Sequence, residues 1–344
     1  MNEKEIRYFS MFTGVGGFEL GLENAGSKSN LQGRWNENSR STQDLQDNRS
    51  ESSNETTSFS CVGMSEIDKY ASELLSKRFP RVKNYGDCTK INPRELPDFD
   101  LLCGGFPCQS FSIAGKRRGF EDTRGTMFFE IARILEVKRP KTVLLENVKG
   151  LLNHNKGETF RVILQTLDEL GYETQWMVLN SKFHGVPQNR ERVFIIGNLR
   201  GTSRSEILPF GRFDQEVNET NGEKIMIDVY NKKMRNECPT LSDPCHNNIR
   251  LAEKFIRNPY NGKTSSEETG TLGVSCGTTT GKTAQHLWEG MKIRRLTPTE
   301  CERLQGFPEN WTEGFSDTQR YKMMGNAVTV NVIKAIGEKI GIKS

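Results

Sequence analysis

Short β-rich runs alternating with longer helical patterns constrain this chain more than any other feature. Tyr8–Phe12, Val62–Ile67, Asp100–Cys103, Thr142–Leu145 and Arg192–Ile196 read as buried strands. Between them, Met127, Ile131 and Ile134, with Phe128 and Leu135, share one helical face ahead of Pro140. Phe160, Ile163, Leu164 and Leu167 recur at helical spacing, and Gly171 follows where the helix should stop. Strands separated by helices pair in parallel, so the expected fold is α/β, a doubly wound and mostly parallel sheet. Near the end, Thr297-Pro298-Thr299-Glu300 forms a capping box that opens a helix through Leu304, and Val328 to Ile340 reads as a last helix packing back on the first domain.

Two segments break the rhythm. Residues 26–60 are crowded with Ser, Asn, Gln, Asp, Glu and Arg and hold few large apolar side chains, so they read as a polar insertion unable to offset its own ordering entropy. Residues 200–293 are irregular and rich in Gly, Thr and Asn, which suggests a separate small domain of loops and short strands. The expected organisation is a catalytic and cofactor-binding domain over 1–199, a second domain over 200–293, and a segment 294–344 returning to the first. The net charge of +4 is too weak to mark a nucleic-acid binder by itself. No run of about 18 apolar residues occurs, so no membrane span is expected. The polar N-terminus leads straight into a strand, so no secretory signal is expected either. The 8 cysteines contain no C-x-x-C pair and the 4 histidines are scattered, which argues against a zinc site and for reduced thiols in the cytoplasm.

Several motifs could carry chemistry. Phe12-Thr13-Gly14-Val15-Gly16-Gly17-Phe18 lies between a strand and a helix, where glycines allow close backbone approach to a ligand or simply make a tight turn. Glu66, ending the second strand, sits where nucleoside-binding folds place a ribose-binding acid once the insertion is discounted; otherwise it is a solvated strand end. Gly104-Gly105-Phe106-Pro107-Cys108-Gln109 follows the third strand, so Cys108 is either an exposed nucleophile or an inert buried thiol. Glu146 and Asn147 end the next strand, where a carboxyl could donate to a ring nitrogen or cap a turn. In Gln188-Asn189-Arg190-Glu191-Arg192, two arginines spaced by two would point to one side if extended, as a fork for a carbonyl oxygen or phosphate or as an ion-pair ladder with Glu191.

Taken in order, these motifs resemble the DNA (cytosine-5)-methyltransferase family of bacterial or phage modification type. Gly86-Asp87-Cys88, Leu304-Gln305-Gly306-Phe307-Pro308 and Gly325-Asn326-Ala327-Val328 complete the resemblance. It covers nearly the whole chain apart from the insertion and most of residues 200–293. It implies a Rossmann-like fold, S-adenosyl-L-methionine as cofactor and a smaller target-recognition domain. By that resemblance Phe18 stacks on the adenine, Glu66 holds the ribose, Asp87 binds the adenine amino group and Asn326 lies near the methionine end. Phe12, Gly14, Gly16, Gly17, Ile67, Cys88 and Val328 complete the cofactor set. Cys108 would attack C6 of a flipped cytosine, Glu146 would bind its N3/N4 edge, Arg192 its O2, and Arg190 would support the site. Residues 110–124, with Lys116, Arg117 and Arg118, resemble a loop that closes over DNA.

The sequence departs from the family pattern at Met324 and Asn331, where Gln and Pro are frequent, and at Ala327, where Ser is common. The implied partners are double-stranded DNA and a cognate restriction endonuclease acting separately. The enzyme is expected to be a monomer located in the cytoplasm and on the nucleoid when DNA-bound. The alternatives are a transfer RNA cytosine-5 methyltransferase of the same fold and a catalytically silent DNA-binding relative. The intact set Cys108, Glu146 and Arg192 argues against silence, and the size of segment 200–293 favours duplex DNA.

Overall fold

The computed structural model describes residues 4–26, 57–107, 127–202, 225–228, 233–235, 238–239, 249–252 and 293–343. The chain divides into two compact units, one of Met1–Leu179, Arg192–Gly211 and Val328–Ser344, the other of Asn180–Glu191 and Arg212–Ala327. The second unit thus takes in residues 180–191 and 294–327, which the sequence reading gave to the flanking segments.

In the first unit, β1 (Lys4–Met11), β2 (Thr57–Ser65), β3 (Leu101–Gly105), β4 (Thr142–Val148) and β5 (Tyr172–Asn180) build a sheet. After the two-residue β6 (Gln188–Asn189), β7 (Glu191–Leu199) completes it, in the order β2-β1-β3-β4-β7-β5. The β1, β2, β3 and β4 pairings are parallel, whereas β7 runs antiparallel to β4. The sheet is therefore mostly parallel, as expected. Two elements differ from the sequence reading. Strand β2 begins at Thr57, inside the segment read as insertion, and β5 is an additional edge strand whose mixed exposure hides it from a search for buried runs.

Helices cover both faces. The alternation of side chains along β1 sends Phe9 and Met11 to one face, with Phe128, Ile131 and Ile134 of α3 (Met127–Lys138) and Phe160, Ile163 and Leu167 of α4 (Glu158–Glu169), once α1 (Gly17–Gly26) and α2 (Lys69–Arg78) have preceded them in the chain. Ile6 and Tyr8 face the other way, into a core shared with Phe18 and Leu22 of α1. After α5 (Pro298–Leu304) and α6 (Asp317–Asn326), the last helix α7 (Val330–Lys343) supplies Val332, Ile333 and Ile336 to that core. Gly171, with φ of 91°, turns the chain out of α4 in the left-handed conformation that glycine adopts without strain.

The second unit holds short strands. β8 (Ile225–Asp228), β9 (Lys233–Arg235), β11 (Ile249–Ala252) and β12 (Ile293–Arg295) form an antiparallel sheet, while β10 (Cys238–Pro239) pairs with β6. The capping box opening α5 is formed: Glu300 N–H donates to Thr297 Oγ1 at 3.2 Å, and Thr297 N–H donates to Glu300 Oε2 at 2.8 Å. Among the described residues no helix is long and apolar enough to cross a membrane.

Helices α1 and α7 approach so closely that a Cβ on Gly21 would lie 2.5 Å from Ile333 Cβ and 2.9 Å from the Val330 carbonyl oxygen. Backbone and a branched Cβ cannot swing aside. Gly21→Ala is therefore expected to destabilise the protein by about 1–3 kcal/mol, the usual range for overpacking, read as a lowered melting temperature. Beside this seam, Glu19 is fully buried, and burial raises its carboxyl from 4.5 to about 7, opposed by the facing Ser10 hydroxyl. A raised carboxylate favours folding while protonated, so its stabilising share is complete below about pH 4.5 and is lost as pH rises through about 7. Glu19→Gln should thus flatten the melting temperature against pH above about pH 5. An unchanged pH profile would show that Glu19 is ionised in the folded state.

Candidate active site

The glycine loop leaves β1 with Phe12 at φ 54°, Gly14 at 61° and Gly16 at 89°. Gly16 is needed for a second reason, since a Cβ there would meet the Phe79 ring at 2.6 Å. Thr13 anchors the loop, its hydroxyl donating to Ser10 Oγ at 3.2 Å and its N–H to the Ser65 carbonyl at 3.3 Å. Glu66 closes the loop from the end of β2. Its Oε2 accepts the Gly14 N–H and its Oε1 the Asp68 N–H, each at 2.7 Å. Burial pushes the Glu66 carboxyl up, and these backbone donors pull against it.

Asn84, a residue the sequence reading passed over, ties this acid to the next motif. Its Oδ1 accepts from the N–H groups of Glu66 and Gly86, both at 3.0 Å, and its Nδ2 donates to the Glu66 carbonyl at 3.2 Å. Its position two residues before Gly86-Asp87 was the available signal. Asp87 caps the following turn, accepting from Thr89 N at 3.0 Å and from Thr89 Oγ1 at 2.8 Å, and these bonds hold its carboxyl below the usual range. Cys88 is buried, and burial pushes its thiol up to about 11, so it serves as an apolar wall. Ile67 is 73% exposed beside Glu66, although its side chain is apolar. A carboxylate at the strand end, an unburied apolar neighbour and glycines at a helix N-terminus suit a nucleoside: hydroxyls for Glu66 and a flat base for Ile67. The residues therefore fit S-adenosylmethionine. Phe18 lies in the core between sheet and α7, and Val328 packs in the same core.

The second cluster gathers at the ends of β3 and β4. Gly105 pairs with Glu146 in parallel register, and Arg192 enters on the antiparallel β7 opposite Val148. Arg192 Nε lies 3.1 Å from Glu146 Oε1, with 15% and 13% of the two side chains exposed. Burial lowers the Arg192 guanidinium from its ordinary value, while Glu146 opposes that shift. A Cβ on Gly105 would lie 2.9 Å from Glu146 Oε2, so the glycine leaves room for the carboxylate. Asn147 is buried and donates from Nδ2 to the Phe106 carbonyl at 2.8 Å, pinning the chain just before Pro107. Cys108 and residues 110–124 lie outside the described residues.

The two arginines do not form a fork. Arg190 falls between β6 and β7, outside either strand, and its Nη2 donates to the carbonyls of Gly325 at 3.2 Å and Ala327 at 2.7 Å. Asn326, between those two residues, is exposed at the end of α6. Among the described residues, no group of three or more His, Cys, Asp or Glu side chains is arranged to hold a metal ion.

Comparison with known proteins gives this arrangement a family. The profile of the C-5 cytosine-specific DNA methylase family matches residues 6–342. The chain is 35% identical to the Type II methyltransferase M.HhaI of Haemophilus parahaemolyticus over 347 residues, covering 98% of this chain and 94% of that one. It is 41% identical to the Type II methyltransferase M1.ScrFI of Lactococcus lactis subsp. cremoris over 306 residues, covering 83% and 73%. Among solved structures, a variant of Spodoptera frugiperda DNMT2 shares the fold with a TM-score of 0.61 at 17% identity, over 96% of this chain and 97% of that one. The match over residues 6–342, joined to a glycine loop closed by Glu66 and a Glu146–Arg192 pair beside Gly105 at the end of β3, places the chain in the C-5 cytosine-specific DNA methylase family, as a DNA (cytosine-5)-methyltransferase using S-adenosylmethionine.

Proposed function

We propose that this enzyme methylates cytosine at a specific double-stranded DNA sequence, as a Type II modification enzyme, through a transient covalent adduct with Cys108. The observation that carries the reading is the Glu146–Arg192 pair at the strand ends, next to Gly105 at the end of β3, three residues before Cys108 in the sequence. Bound at the glycine loop, S-adenosylmethionine supplies an electrophilic methyl group on a sulfonium centre. The Cys108 thiolate adds to C6 of the cytosine, and the electron pair displaced from the C5–C6 double bond makes C5 nucleophilic. Glu146 binds the N3/N4 edge and favours the protonated ring, and Arg192 holds O2, so both draw charge from the ring as the thiolate adds. After methylation, loss of the C5 proton re-forms the double bond and expels the thiolate.

C6 is hidden in a duplex, so the base must be extruded, at about a few kcal/mol. Lys116, Arg117 and Arg118 in the segment after Cys108 are of the residue type that suits phosphate contact. Sequence choice is assigned to residues 200–293, where thirteen basic residues face twelve acidic ones, a balance suited to base-edge contacts rather than bulk phosphate attraction. The enzyme acts as a monomer in the cytoplasm, with a cognate restriction endonuclease cutting the same sequence separately.

With labelled S-adenosylmethionine, transfer is expected to unmethylated duplex DNA and not to transfer RNA. Target DNA carrying 5-fluorocytosine should trap an adduct on Cys108, because the fluorine cannot leave as a proton, and Cys108→Ala should abolish it. An adduct on another cysteine would overturn the assignment. Gly105→Ala tests the pair itself. The added methyl displaces only the flexible end of Glu146, so the melting temperature should stay near that of the parent protein. Turnover should fall by about tenfold or more, about 1.4 kcal/mol in the barrier, once Glu146 leaves Arg192.

A further inference from the structure

Strand β2 is an edge strand and ends at Ser65, so Glu66 is the first residue beyond its ladder. One side chain satisfies the backbone there instead. Asn84 Oδ1 accepts the Glu66 N–H at 3.0 Å, and its Nδ2 donates to the Glu66 carbonyl at 3.2 Å. The same Oδ1 accepts the Gly86 N–H at 3.0 Å, and Nδ2 also donates to Ser72 Oγ at 3.2 Å. Ser72 Oγ in turn donates to the Glu66 carbonyl at 3.0 Å. A primary amide offers two N–H donors and two acceptor lone pairs, and Asn84 uses all four. Its orientation follows from its partners, because backbone N–H groups only donate and a carbonyl only accepts.

Asn84 is itself tied to β2. Met64 N–H donates to the Lys83 carbonyl at 3.0 Å, and Tyr85 N–H donates to the Met64 carbonyl at 2.7 Å, which makes a parallel bridge between Met64 and Asn84. Ser65 Oγ donates to the Gly86 carbonyl at 2.7 Å, so Gly86, at φ 69°, is held at both its N–H and its carbonyl. The Ser65 carbonyl accepts the Thr13 N–H of the glycine loop at 3.3 Å. The glycine loop, the Glu66 turn and the Gly86 turn are therefore joined through Ser65 and Asn84, all within the first unit.

A turn at a sheet edge needs less than this. Asn84 is half-buried, and backbone groups near solvent can be satisfied by water. What the amide adds is a fixed Glu66 backbone, while the N–H groups of Gly14 and Asp68, each at 2.7 Å, fix the carboxylate. A carboxylate has about four acceptor positions, so some remain for the hydroxyls of a ligand. Two neighbouring hydroxyls are recognised well only by an acceptor held in one place.

We propose that Asn84 is a positioning residue of the cofactor site: it locks the Glu66 backbone to the Gly86 turn so that the carboxylate meets the ribose hydroxyls of S-adenosylmethionine. The inference deepens the reading of Glu66 as the acid that takes those hydroxyls, and rests on it.

The test compares two ligands by calorimetry on the full-length protein, S-adenosylhomocysteine and its 2′,3′-dideoxy analogue, which lacks only the hydroxyls. The parent should prefer the hydroxylated ligand by about tenfold or more, the scale of hydrogen bonds to a charged group. In Asn84→Ala the preference should fall below about threefold, with the dissociation constant of the analogue changed by less than about twofold. Asn84→Asp keeps the shape and both accepted bonds but turns a carboxylate oxygen toward the Glu66 carbonyl, so it should lose the preference as well. Added to Glu66→Ala, Asn84→Ala should cost less than about twofold more in S-adenosylhomocysteine binding. In steady state, KM for S-adenosylmethionine should rise while kcat stays within about twofold.

If Asn84→Ala weakens both ligands by the same factor, Asn84 merely closes a turn and the inference falls. It falls equally if kcat drops with KM unchanged, or if Asn84→Ala costs its full factor in the Glu66→Ala background. A parent without the preference, or a Glu66→Ala variant that keeps it, would overturn the reading of Glu66 and the inference with it. Should Asn84→Ala not fold, Asn84→Asp is judged by the same criteria.

Discussion

A strand buried on both faces can offer polar chemistry only at its ends, and the active centre follows from that constraint. Leu102, Cys103, Leu144 and Leu145 are fully buried between the two helical layers. The acid following β2, the glycines ending β3 and Glu146-Asn147 of β4 therefore emerge together, because parallel strands end on the same edge. Strand β7 supplies the complement by running the other way: its beginning, with Arg192, meets the end of β4. A parallel β7 would have carried that guanidinium to the opposite edge.

The charged groups at these ends are each stabilised differently, and the difference suits their roles. Glu66 accepts backbone N–H groups and so shapes the loop that it closes. Glu146 is paired with Arg192 in a largely desolvated setting, where orientation is set by the ion pair and by the space above Gly105. Arg190 bonds carbonyls at a helix end. Within two residues, one arginine restrains backbone and the other a carboxylate, so a substitution at one is not equivalent to a substitution at the other.

Local signals were read well where they depend on neighbours in sequence. The capping box at Thr297, the stop at Gly171 and the glycine loop after β1 each follow from backbone requirements within a few residues. The link from Gly17 to Glu66 survived an intervening polar stretch, because a strand end and a glycine loop are recognisable separately. Strand β5 was missed because its edge position leaves Glu173 and Trp176 in solvent and most of its other residues half-buried, so no buried apolar run marks it. The direction of β7 was equally hidden, since a buried strand has the same composition whichever way it runs.

Sequence alone determined the order of motifs, the α/β alternation and the residue types able to do this chemistry, because those depend on period and on side-chain functional groups. Tertiary structure decided which groups meet. Asn84 bridges Glu66 to Gly86, Asn147 pins Phe106, and Arg190 reaches Gly325 and Ala327 across 135 and 137 residues. Each of these is a hydrogen bond between a side chain and a group distant in the chain or unremarkable in it. No periodicity announces such a bond, because its partners are brought within about 3 Å only by the packing of the whole unit.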